Sequence, residues 1–176
     1  MIGELISNDV KGGGLTKPGS LIVPLFKSVL HNIGVVIVGL AVAFIGVILD
    51  LLLGVREFRS MPAAIAGSLL LIAGFALRVW ATFYFYREQM KVISLSPQQT
   101  LLTSGPYRFS RNPLYLGGNA FIFLGATMLL GSPAGIVITL IHLPFVDLFI
   151  RREERQLAKS FDAQWLQYRD RVRRWL

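Results

Sequence analysis

Four apolar runs dominate the chain, at roughly residues 29–53, 62–86, 114–130 and 134–150. A helix needs roughly 20 apolar residues to cross a bilayer core, with about 17 as the lower limit, so the last two runs are short but sufficient. Between them, "GSP" at 131–133 ends one helix with Gly and starts the next with Pro. That order predicts a tight antiparallel hairpin. After residue 150 the pattern changes. Leu157, Phe161, Trp165, Tyr168, Val172 and Trp175 recur every three or four residues, and Arg151, Arg155, Lys159, Arg169 and Arg173 fill other faces. One apolar stripe results, as in a helix that lies along the membrane interface or packs back on the bundle. The predicted fold is all-α: a polytopic membrane bundle of about four transmembrane helices with a C-terminal amphipathic interfacial helix.

Composition supports this picture. The chain has 176 residues, 53% of them hydrophobic, and a mean hydropathy of +0.57, which fits one domain in lipid better than a soluble one. Residues 1–27 are mixed and Gly-rich, and read as a flexible arm. Residues 28–176 form a single domain, with two spans in 28–86 and the remainder in 87–176. The arm lacks the charged-then-apolar order of a signal peptide. Its glycines, Gly12 to Gly14, are not followed by the Lys-Ser/Thr pair of a phosphate-binding loop. With no cysteine, a disulfide, a thiolate metal site and a cysteine nucleophile are excluded. With only His31 and His142, no histidine metal cluster is expected.

The net charge of +8 does not indicate nucleic acid, because the basic residues cluster at the ends of apolar runs, where anionic lipid headgroups lie. Of the eighteen Lys and Arg residues, fifteen share one side when both termini are cytoplasmic: Lys11, Lys17, Lys27, Arg87, Lys91, Arg108, Arg111 and the eight after residue 150. Only Arg56 and Arg59 lie opposite, and Arg78 is within the second span. This bias places 87–113 and the tail on the cytoplasmic face.

Chemistry concentrates there. "SGPYRFSRNPLYLGG" at 104–118 gathers Arg, Tyr, Asn and Pro at the mouth of the third span. Because the last two spans form a hairpin, this stretch and the acidic pair Glu153–Glu154 should converge. Pro113 at the first helical position leaves free amides that favour an anion. Tyr107 and Tyr115 offer aromatic faces to a cation, and the two glutamates accept hydrogen bonds from a ribose diol or an ammonium. S-adenosylmethionine carries a carboxylate, an ammonium, a sulfonium and a ribose, and would use all of these. Taken singly the same residues have plainer roles: Arg108 and Arg111 as headgroup anchors, the tyrosines as interfacial aromatics, the glutamates as a solvated salt-bridge run. Asp50 is expected to snorkel; for Arg78, within the second span, facing the cofactor or headgroup cavity is one reading among others. His142 is expected to be a packed polar residue, Pro144 to kink the fourth span, and Asp147 to line the pocket.

The stretches "QTLLTSGPYRFSRNPLY" and "EERQLAKSFDAQWLQYRDRVRRWL", separated by the hairpin, resemble the isoprenylcysteine carboxyl methyltransferase family and its bacterial relatives, which share a pattern with phospholipid N-methyltransferases. The resemblance covers about residues 92–176. It implies that 87–176 is a cofactor-binding half for S-adenosylmethionine. Gln99, Thr100, Leu101 and Leu102 would line the adenosine end. Tyr107, Arg111, Asn112, Pro113, Leu114 and Tyr115 would surround the methionine part, and Glu154 would close the site. Asn112 and Gln99 stand where many relatives have His, and Asp162 and Trp165 replace the usual Gly and Tyr. Ile150 stands where the eukaryotic enzymes carry a substrate-contacting Arg, with Arg151 beside it. The catalytic candidates are therefore Arg151, and Asp147 or Glu153 as general base for an amine or phenol acceptor. The implied function is methyl transfer to a lipophilic or lipidated acceptor, an isoprenylcysteine carboxylate or another amphiphile, at a bacterial inner membrane in contact with its lipids. Phospholipid N-methylation is the alternative. A non-catalytic four-span transporter subunit or scaffold is the alternative of another class, and a nicotinamide-dependent sterol-reductase-like enzyme is disfavoured by the short chain.

Overall fold

The computed structural model describes residues 19–88 and 100–176, and it is all-helical, with no strand among them. Helix α1 is Gly19–Leu53, α2 is Met61–Arg87, α3 is Pro113–Leu130 and α4 is Pro133–Arg171. All four are long and apolar enough to cross a membrane. Leu51, Ile72, Val137 and Leu148 remain exposed, the placement expected where acyl chains are as apolar as the side chains. Inside, small residues let backbones meet. A Cβ on Gly67 would lie 2.7 Å from the Gly125 carbonyl oxygen, and one on Gly74 would lie 2.6 Å from that of Gly117. Helix α3 is the innermost span, 50% buried against 17–22% for the others.

Helix α1 starts earlier than the apolar run predicts, so residues 19–27 of the expected arm are helical. Pro24 forfeits one backbone hydrogen bond in the second turn, but Leu21, Ile22, Val23, Leu25 and Phe26 supply an apolar surface around it. The hairpin forms as predicted. Gly131 (φ +67°) ends α3, Ser132 Oγ accepts from the Gly135 amide at 2.9 Å, and Pro133 opens α4. Asp50 does not snorkel. It is fully buried, and its carboxylate accepts from Ser132 Oγ at 2.5 Å and the Ala134 amide at 2.9 Å. The acid thus satisfies donors that the start of α4 would otherwise leave bare in lipid.

Arg78 does not line the cavity or reach for headgroups. Its Nε donates to Asn32 Oδ1 at 2.7 Å and its Nη1 to the Leu114 carbonyl at 2.7 Å, within a buried cluster that includes Ser28 and Thr82. The turn of α3 facing it is widened. Leu116–Ile122 is a π-helix flanked by the α segments Pro113–Tyr115 and Phe123–Leu130. A Cβ on Gly118 there would come within 2.6 Å of Arg78 Nη1.

His142 is packed as expected, with Nε2 2.9 Å from Asn119 Oδ1 and its ring stacked on Phe123. Helix α4 keeps helical dihedrals through Pro144. Its departure is at Asp162 (φ 38°, ψ −112°). The fourth span and the tail are therefore one long helix with a late break. Trp165 and Tyr168 of the amphipathic stripe are buried, so the tail packs back on the bundle.

Candidate active site

The loop ahead of α3 is folded tightly enough to aim its side chains. Gly105 (φ +60°) lies directly against the Tyr84 ring, where any Cβ would collide. A 3-10 turn, Gly105–Arg108, follows and buries Pro106 and Tyr107. The Tyr107 ring packs on Phe85, centroids 6.0 Å apart, and its carbonyl accepts from the Tyr168 hydroxyl at 2.8 Å. Its own hydroxyl has no partner among the described residues. Pro113 opens α3 as predicted. Asn112, at the cap position, makes no side-chain cap and instead donates from Nδ2 to the Arg174 carbonyl at 3.2 Å.

The acidic pair meets this loop at the same end of the bundle. The Tyr115 hydroxyl donates to Glu153 Oε1 at 2.9 Å. Glu154 lies between two guanidiniums: Arg174 Nη2 at 2.7 Å and Arg111 Nη2 at 3.5 Å. The Arg111 side chain is 10% exposed and sits 5.6 Å from the Trp165 ring centroid. Its Nε and Nη1 are buried without a partner among the described residues. Burial lowers the Arg111 pKa, with Glu154 opposing the shift. The hydrogen bonds that Arg174 donates to Glu154 raise the Arg174 pKa. Burial also pushes the Tyr107 hydroxyl well above the usual phenol range, so it is a neutral donor at physiological pH.

Together these groups line one cleft. Of the sequence-derived residues it contains Leu101, Leu102, Tyr107, Arg111, Asn112, Pro113, Leu114, Tyr115, Glu153 and Glu154. Thr100 is exposed outside it, and Gln99 lies outside the described residues. Asp147 and Arg151 do not line the cleft: they pair with each other at 2.6 Å, one helical turn apart. Sequence reasoning missed four of the walls, Phe85, Leu157, Trp165 and Tyr168. Three of those belong to the tail stripe, whose spacing was visible but whose burying partner was not. Arg174 carried no signal at all, since its pairing with Glu154 is a long-range contact.

A four-span bundle with an aromatic-walled cleft, carrying charged groups, at one end defines an integral membrane protein. The sequence profile of the phospholipid methyltransferase family matches residues 62–164, more than half of the chain, and the chain belongs to that family. In general class it is thus a membrane methyltransferase. The matched region includes α2 and so reaches further back than the motif resemblance, while leaving α1 outside. No curated protein and no solved structure matches.

Proposed function

We propose that this cleft binds S-adenosylmethionine and that the protein transfers a methyl group from it to a lipophilic acceptor at the cytoplasmic face of a bacterial inner membrane. The observation that carries the reading is a set of buried donors without partners on residues lining the cleft: Tyr107 Oη, Arg111 Nε and Arg111 Nη1. Leaving such groups unsatisfied costs roughly 1–3 kcal/mol each, a penalty that an acceptor-rich ligand removes. The donor set fits the cofactor's carboxylate. Phe85, Tyr107, Tyr115 and Trp165 supply aromatic walls for a cation and an adenine. Bound there, S-adenosylmethionine would supply an electrophilic methyl group on a sulfonium. The chain's part is to orient the reactants and keep water out.

Glu153 favours an amine acceptor, as in the phospholipid reading. It stands in the cleft against the Tyr115 hydroxyl, within reach of a proton that an amine must lose and a carboxylate acceptor does not have. Arg151, the counter-ion available for a carboxylate acceptor, is instead paired with Asp147 outside the cleft.

The test is calorimetry on the purified, folded protein in detergent with S-adenosylhomocysteine. Binding is expected, and its absence from a folded sample would return the chain to the non-catalytic reading. Radiolabelled methyl transfer into a phospholipid extract should then mark an amine headgroup. Glu153→Gln should slow that transfer by about a hundredfold, the scale of a lost general base, while the protein still binds S-adenosylhomocysteine.

A further inference from the structure

Resting on the reading that Arg111 meets the cofactor's carboxylate, we propose that Arg174 is a positioning residue: it draws Glu154 off Arg111 and so keeps the Arg111 Nε and Nη1 donors free for the ligand. The geometry is asymmetric. Arg174 holds Glu154 by three contacts, Nη2–Oε2 at 2.7 Å, Nε–Oε2 at 3.1 Å and Nε–Oε1 at 3.2 Å. Arg111 reaches it once, at 3.5 Å. A carboxylate beside a guanidinium in a desolvated site closes to a two-bond fork, and here Arg174 has taken that fork. Without it, Glu154 would have Arg111 as its nearest cation. A fork with Arg111 consumes at least one of the donors now free.

Segment 172–176 is registered for this task. The Arg173 carbonyl accepts from the Arg111 amide at 3.0 Å, and the Arg174 carbonyl accepts from Asn112 Nδ2 at 3.2 Å and Ser110 Oγ at 3.3 Å. Asp147 Oδ1, 3.7 Å from Arg174 Nη1, steadies the guanidinium from its other side. The backbone contacts fix the segment against the residue that Arg174 controls, and they survive removal of the Arg174 side chain.

A double-mutant cycle on the full chain in detergent, read as S-adenosylhomocysteine affinity by calorimetry, tests this. Arg174→Met should weaken binding about tenfold, within the coupling range of residues in one ion-pair network. In the Glu154→Gln background, where no acid remains to capture Arg111, the same substitution should cost under about twofold. Arg174→Lys, which keeps a charge on Glu154, should recover part of the loss. Thermal unfolding confirms that each variant is folded. If Arg174→Met binds as the unaltered protein does, or loses equally in both backgrounds, Arg174 is no more than a brace and the proposal falls. If the unaltered, folded protein binds no S-adenosylhomocysteine, the cofactor reading itself falls first.

Discussion

The hydroxyl of Tyr107 is buried on a residue 6% exposed and has no hydrogen-bond partner among the described residues, yet a phenylalanine would fill the same space. Burying a phenol without a partner costs roughly 1–3 kcal/mol. Tyr107→Phe should therefore raise the unfolding temperature of the ligand-free protein in detergent while weakening S-adenosylhomocysteine binding by up to about tenfold, the worth of one hydrogen bond. Opposite signs for stability and affinity are the signature of a group kept for a ligand. A fall in both would mean that the hydroxyl serves the fold. Arg111 follows the same logic more strongly, since two of its nitrogens wait without partners beside the Trp165 ring.

At the scale of elements, the break in α4 is what folds the tail stripe over the cleft. Asp162 adopts φ 38°, ψ −112°, a conformation that costs a residue with a Cβ roughly 1–3 kcal/mol, and the resemblance puts Gly at this position. Asp162→Gly should relieve that strain. Less the roughly 0.5–1 kcal/mol of added chain entropy, a gain of about 1 kcal/mol in stability is expected by denaturation in detergent, and Asp162→Val should lose at least as much. At the opposite end, Asp50 ties α1 to the hairpin. Asp50→Ala strips Ser132 Oγ and the Ala134 amide of their acceptor, and should destabilise by about 2–3 kcal/mol with methyl transfer per folded molecule unchanged.

These elements also show where the sequence could be read and where it could not. The four spans, the Gly-Ser-Pro hairpin and the meeting of 107–115 with 153–154 follow from local patterns: run length, cap residues and one antiparallel connection. The start of α1 was hidden because the mixed, Gly-rich composition of 1–27 masks the apolar residues 21–26, which favour helix. Asp50 looked like an acid near a helix end. Its partners are a hydroxyl and an amide that come together only where α4 begins. The π-turn at Leu116–Ile122 and the return of 172–176 to Arg111 rest on backbone contacts that side-chain spacing does not encode.

For the whole molecule, the decisive asymmetry is between its two ends. Among the described residues the cleft end carries Arg87, Arg108, Arg111 and the basic tail, whereas the hairpin end has only Arg56 and Arg59, the former in a loop and the latter paired with Glu57. Juxtamembrane Lys and Arg contribute about 1 kcal/mol each next to an anionic leaflet, so the cleft end should face the cytoplasm, where a soluble cofactor is also available. The chain contains no cysteine, which makes single-cysteine labelling direct. Val55→Cys, in the exposed loop after α1, and Ser160→Cys, on the exposed face of α4, report the two ends. In intact bacterial cells with a permeabilised outer membrane, a membrane-impermeant maleimide should label Cys at 55 and spare Cys at 160 until the inner membrane is opened. The reverse pattern would turn the cleft away from the cofactor supply. It would then overrule the charge argument, whatever the purified protein binds.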